Sequence, residues 1–245
     1  MTLREKFNTL KNGAVDFFFP PRCLCCGKLL LPADPLALCP VCLASYSLAA
    51  RLPCRRCGKD TADCTCCSDL LVSAGVYRVA KAAPYLPEEE NSPVRAVLFS
   101  LKHENSRDAK AFVAREIARA ARRMPEDLSG FTVTFVPRGR KGRRANGYDQ
   151  AEDVSRLLAK ELSLPWEPVA RRSPDAKEQK DLDRKKRIEN AKNSILPLPA
   201  LNTKGKRYLI VDDVLTTGAS LAALASLLRA AGAAEVRAAV FAARG

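Results

Sequence analysis

Ile210-Val211-Asp212-Asp213-Val214-Leu215-Thr216-Thr217-Gly218-Ala219, followed by Ser220, is the stretch whose reading decides the fold. Arg207 to Val211 has the aromatic and β-branched content of a buried parallel strand, and Leu221 to Leu228 reads as an apolar helix. The residues between are therefore a strand-to-helix turn. Backbone N–H groups from Thr216 to Ser220 lack intrahelical acceptors, and with the positive end of the helix dipole they can cradle a phosphate without a lysine. Gly218 supplies permissive backbone geometry, and the hydroxyls of Thr216, Thr217 and Ser220 add donors. Asp212 and Asp213 would repel that phosphate unless they face something else; ribose hydroxyls and a bridging Mg²⁺ are their natural partners. A structural turn with an acidic edge is the plainer alternative, and it leaves two adjacent carboxylates without a partner.

Working outward, strand candidates at Gly75–Ala80, Phe131–Val136, Trp166–Ala170, Arg207–Val211 and Glu235–Ala242 alternate with helix candidates at Val94–Lys102, Asp108–Arg123, Gln150–Leu162 and Ala219–Ala231. That alternation predicts an α/β fold, a parallel sheet flanked by helices, with ligands bound beyond the carboxyl ends of the strands. Arg138 and Asp212 both fall there. Arg138, Arg140, Lys141, Arg143 and Arg144 form the densest cationic cluster, directly after a predicted strand, and suit either a pyrophosphate or a nucleic-acid backbone.

All ten cysteines lie between Cys23 and Cys67. Cys23/Cys26, Cys39/Cys42, Cys54/Cys57 and Cys64/Cys67 make four C-x-x-C pairs, enough for two closed tetrahedral zinc sites of structural type, with Cys25 and Cys66 left as spares. Sequential and cross-braced pairings are equally countable. Disulfides are the alternative, disfavoured because nothing in the opening residues reads as a secretory signal. Leu3, Phe7, Leu10, Ala14 and Phe17 or Phe18 sit at helical spacing among charged residues and predict an amphipathic helix without membrane insertion. The expected organisation is residues 1–19 as that helix, 20–72 as a double zinc ribbon and 73–245 as the α/β domain, in a cytoplasmic protein.

The 245 residues, 47% hydrophobic, carry a formal charge of +14. Eight thiolates on two Zn²⁺ would lower it to about +10. Either figure favours a multiply anionic partner, a phosphorylated small molecule or nucleic acid. His103, the only histidine, reads as a surface or packing residue, and Trp166 as a packing residue.

The acidic pair and Thr-Thr-Gly turn resemble the PRPP-binding motif of type I phosphoribosyltransferases. Resemblance then extends along nearly the whole chain to ComF-type proteins, which join an N-terminal double zinc ribbon to a phosphoribosyltransferase domain. It is carried by Phe17-Phe18-Phe19-Pro20-Pro21-Arg22-Cys23, by Val94 to His103, by Arg144-Ala145-Asn146-Gly147-Tyr148-Asp149-Gln150, and by Gln179, Leu182, Arg187 and Asn190. Asn146, Tyr148, Asp149 and Ala176 depart from the usual family residues. The resemblance implies that Asp212, Asp213 and Arg138 are catalytic, and that PRPP is held by them with Thr216, Thr217, Gly218, Ala219 and Ser220. Gln179, Arg187 and Asn190 would lie on a loop closing over PRPP, and Mg²⁺ would accompany it. Phosphoribosyl transfer to an unknown acceptor, with release of pyrophosphate, is the implied activity, in DNA uptake during natural transformation, with single-stranded DNA or DNA-uptake proteins as partners. The alternative is a non-catalytic PRPP sensor or single-stranded DNA adaptor.

Overall fold

The computed structural model describes residues 20–31, 37–89, 92–138, 149–173, 191, 193–199 and 201–244. The expected helix over 1–19 and the loop residues Gln179, Arg187 and Asn190 lie outside them, as do Arg140, Lys141, Arg143 and Arg144.

Four parallel strands form the central sheet: β1 (Val76–Pro84), β2 (Phe131–Phe135), β5 (Arg207–Leu215) and β6 (Glu235–Ala243), in the spatial order β1-β6-β5-β2. Between them run α3 (Pro93–His103), α4 (Arg107–Ala121), α5 (Gln150–Leu162) and α6 (Ala219–Ala230), and a short antiparallel pair, β3 (Ala170–Arg172) with β4 (Ile195–Pro197), stands apart. Ser92, Ser106 and Asp149 start α3, α4 and α5 by accepting from backbone N–H groups in the first turn.

Both faces of the sheet are buried, and the strands alternate between two cores with the period of two that a pleated strand imposes. Leu209, Val211, Ala239 and Phe241 join the core under α3, α4 and α5. Tyr208, Ile210, Ala238 and Val240 join the core under α6.

One expected strand fails. Trp166–Ala170 makes only a single parallel bridge, Trp166 to Val133, flanked by bonds from Val133 N to Pro165 O and from Glu167 N to Val133 O. Pro165 has no N–H to extend the ladder backward, and past Glu167 the chain turns to β4, where Val169 O accepts from Leu198 N and Ala170 pairs with Pro197. Trp166 packs instead, stacked 6.0 Å from Phe135 and donating from Nε1 to Ser155 Oγ at 2.7 Å.

The cysteine-rich residues cover the β1 edge of the sheet through α1 (Pro40–Ala50), a 3₁₀ turn (Thr61–Asp63) and α2 (Asp69–Ser73). Tyr46 of α1 reaches the core, its ring 5.1 Å from Phe112 and 6.0 Å from Phe241. Residue 72, where the sequence suggests a division, falls inside α2, and Leu71 is fully buried against the α6 side of the sheet.

Candidate metal centres and candidate phosphate site

Two knuckles open the cysteine module with the same backbone pattern. Cys23 N donates to Lys28 O and Gly27 N to Cys23 O; Cys54 N donates to Lys59 O and Gly58 N to Cys54 O. Gly27 (φ 71°) and Gly58 (φ 73°) close these turns in the left-handed region that a Cβ disfavours. Cys23, Cys26, Cys39 and Cys42 bring four Sγ atoms within 4.8 Å of one another, which selects sequential over cross-braced pairing.

The second cluster corrects the expected ligand set. It consists of Cys54, Cys57, Cys64 and Cys66, so the last pair reads C-x-C and Cys67 is the spare. Cys67 turns its thiol away to face Thr65 O at 3.7 Å and packs with Leu71 and Ala74 in the core.

Both clusters fit zinc. A tetrahedral ion with Zn–S near 2.3 Å needs sulfurs about 3.8 Å apart. Cys26 and Cys39 are 3.7 Å apart, Cys54 and Cys66 3.5 Å, Cys57 and Cys64 3.5 Å, Cys57 and Cys66 4.0 Å, and Cys64 and Cys66, the tightest pair, 3.0 Å. In each cluster one thiol is already acidified. Burial raises Cys23, but hydrogen bonds from the backbone of Cys39, Cys26 and Cys25 outweigh it and bring it to about 7. Cys64 falls to about 6 because hydrogen bonds from Cys66 and from Lys81 Nζ, 3.2 Å away, outweigh its burial.

The second site is built at the carboxyl ends of β2 and β5. β5 runs four residues past the expected strand, so Asp212 and Asp213 are still on the ladder, Asp212 opposite Val240 of β6. Asp213 Oδ2 receives Arg138 Nη2 at 2.7 Å and Lys102 Nζ at 3.3 Å. The structure thus brings together Arg138 and the acids, as the sequence suggested, and adds Lys102, which sequence reading left without a role. Its place in Leu101-Lys102-His103 was visible, but only the packing of α3 carries it to Asp213.

The start of α5 holds both cations. Asp149 Oδ2 accepts from Arg138 N at 2.9 Å while its Oδ1 accepts from Ala151 N, and Gln150 Nε2 donates to Lys102 O at 3.1 Å. Asp149, a departure from the family residue, is therefore a helix cap and a brace for Arg138. Asp149→Ala is expected to lower stability by about 1 kcal/mol through the lost cap and to free Arg138, so that anion affinity falls beyond what the stability loss explains. Thermal melts and titration with pyrophosphate check the two parts.

The two carboxylates are unequal. Asp213 is surrounded by protein, which disfavours its charge, but Lys102 and Arg138 outweigh that and hold it below the usual carboxylate range. Asp212 is pushed up to about 7 by burial and by the charge of Asp213, against the N–H of Asp213 donating to its Oδ1 at 2.9 Å. Among the described residues Asp212 forms no ion pair, so a carboxylate beside a filled one awaits a cation or hydroxyl donors. This donor set fits Mg²⁺.

Past Leu215 the turn behaves as an open helix N-terminus. Gly218 occupies the cap position at φ 77°, with no side-chain cap, and Ala222 N to Gly218 O is the first helical bond. The amides of Ala219, Ser220 and Leu221 therefore have no intrahelical acceptor; Ala219 N leans on Thr217 Oγ1 at 3.4 Å. A Cβ on Gly218 would be strained and would stand 3.3 Å from Leu215 Cδ1 and 3.4 Å from Leu71 Cγ.

Comparison with known proteins finds the same two parts in the same order. Residues 14–71 match the double zinc ribbon domain family and residues 146–245 the phosphoribosyl transferase domain family. The chain has the two-part make-up of ComF-type proteins. Its relatives include the DNA utilization protein YhgH of Escherichia coli K12, 28% identical over 206 residues, or 82% of this chain and 81% of that protein. Competence protein F of Haemophilus influenzae is 34% identical over 93 residues, 37% of this chain and 41% of that one. Among solved structures, a hypoxanthine phosphoribosyltransferase from Staphylococcus aureus overlaps 54% of this chain and 61% of its own at 11% identity, with a TM-score of 0.36. Among the described residues no helix is long and apolar enough to cross a membrane. His103 is exposed at the end of α3, 4.8 Å from the Phe99 ring.

Proposed function

We propose that this chain binds PRPP with Mg²⁺ and transfers its phosphoribosyl group to an acceptor, releasing pyrophosphate. The observation that carries the reading is the Asp212–Asp213 pair, one carboxylate neutralised by Arg138 and Lys102 and one not, beside the open N-terminus of α6. Thr216 to Ser220 would hold the 5-phosphate by backbone amides and hydroxyls, and the acids would orient the ribose hydroxyls. Bound Mg²⁺ supplies charge neutralisation for pyrophosphate. In the reaction the C1–O bond to pyrophosphate breaks, a bond from C1 to the acceptor's nucleophilic atom forms, and the acceptor loses a proton. Arg138 and Lys102, freed from Asp213 as the ligand enters, would stabilise the departing charge. The names of the relatives, DNA utilization and competence, support a role in handling DNA. Structural zinc in the two cysteine clusters completes the assignment.

Calorimetry of zinc-loaded protein with PRPP and Mg²⁺ is expected to show one site per chain. Pyrophosphate release is then expected with one class among nucleobases, amines and oligonucleotides. Absence of binding removes the reading; binding without release under any acceptor leaves a sensor.

A further inference from the structure

The two cysteine clusters are tied to the α/β domain in different ways. Cys23, Cys39, Cys42 and Tyr46 pack into the core beneath α3 and α4. The second cluster is tied to the opposite face, through the eight residues from Cys64 to Leu71. At its front, Lys81 of β1, 7% exposed, donates from Nζ to Cys64 Sγ at 3.2 Å and to Cys66 O at 2.7 Å, and Val79 N donates to Thr65 O at 3.1 Å. Midway, Arg56 donates to Cys67 O and pairs with Asp69 at 2.7 Å. At the far end Leu71, with no exposed surface, shares the core with Ala219, Leu221 and Ala222 and lies against Gly218. The cap of the phosphate loop thus rests on a side chain whose backbone is anchored eight residues or fewer from two metal ligands.

A buried lysine is costly unless paired, so Lys81 ties β1 to Cys64 and Cys66 wherever those residues sit. Close-packed interiors pass such displacements on instead of absorbing them. We propose that Leu71 and Lys81 are positioning residues for the phosphate loop, and that the Cys54/Cys57/Cys64/Cys66 centre, unlike the Cys23/Cys26/Cys39/Cys42 centre, is coupled to phosphate binding at Thr216–Ser220. The proposal rests on the phosphate reading of that loop, but its first test does not.

Amide hydrogen exchange in the peptide spanning Leu215–Ala222 is measured on the full zinc-loaded chain without ligand. Lys81→Met and Leu71→Ala are expected to speed exchange there about fivefold or more, with peptides of β2 unchanged; Cys57→Ser is expected to do the same and Cys26→Ser not. Lys81→Met exchanges a buried charge for an apolar side chain of similar length, so it remains informative if a cysteine variant or Leu71→Ala fails to fold. Unchanged exchange at 215–222 in Lys81→Met, or equal acceleration in Cys26→Ser, overturns the coupling. The second readout is reciprocal: PRPP with Mg²⁺ is expected to slow zinc release from one centre and not the other, and Lys81→Met is expected to remove the difference. Wild-type protein that binds no PRPP would refute the transferase reading, while the exchange comparison still decides this one. PRPP binding that leaves both zinc-release phases unaltered would count against the coupling alone.

Discussion

Asparagine at both positions of the Asp212–Asp213 pair is expected to leave a folded protein with its zinc in place that binds PRPP and Mg²⁺ at least about 100-fold more weakly, a loss of about 2.8 kcal/mol. The geometry explains why fold and binding should separate. Asp213 anchors Arg138 and Lys102, which have 27% and 34% of their side chains exposed and can turn to solvent once the carboxylate is gone. Asp212 destabilises the native state when ionised. Its folded value near 7 lies above the ordinary carboxylate value of 3.8, so between those values the folded state binds the extra proton and stability falls as pH rises. Asp212→Asn alone keeps the acceptor for Asp213 N–H and removes that charge. It is therefore expected to raise Tm by a few degrees at pH 8 and to change it little at pH 4, while weakening PRPP. Calorimetry against thermal melts at the two pH values tests this. A matched fall in Tm and affinity would show that the acids serve the fold instead.

Zinc analysis is expected to give two ions per chain in wild type, one in Cys66→Ser and two in both Cys67→Ser and Cys25→Ser. This inverts the roles that C-x-x-C spacing alone assigns to Cys66 and Cys67, and it follows from sulfur positions. Cys66 Sγ is 3.0 Å from Cys64 Sγ and 3.5 Å from Cys54 Sγ, while Cys67 packs beside Leu71. Cys67→Ser is expected to cost stability without costing metal, because a hydroxyl replaces a thiol in an apolar setting. Chelation is expected to lower the Tm of the entire chain. Structural zinc contributes about 10–16 kcal/mol to folding in small modules, and Tyr46 and Leu71 carry part of that into the two cores of the sheet. A chelated protein whose sheet melts at the wild-type temperature would show the module to be independent. Loss of one ion in Cys67→Ser would restore the spacing rule.

Local features of the chain determined a good deal on their own. A strand, two acids, a small hydroxylic turn and an apolar helix specify a βα junction, and β5, Gly218 and α6 stand where that pattern places them, because backbone geometry and helix ends answer to near neighbours in sequence. Alternating apolar segments likewise determined the parallel α/β class. Four cysteine pairs determined that two four-sulfur sites were affordable, by count.

Only the tertiary structure decided which sulfurs meet, because Cys66 and Cys67 are adjacent and what separates them is which one the packing of Leu71 draws into the core. Spacing cannot see that choice. Trp166–Ala170 failed as a strand beyond one bridge because Pro165 has no N–H to extend the pairing with β2 and the chain past Glu167 turns to β4. Lys102 joined Asp213 across more than a hundred residues, and Asp149 became a brace for Arg138, only once α3, α5 and β5 were packed. The Lys102–Asp213 contact depends on how whole elements stack, and no window of sequence contains both partners.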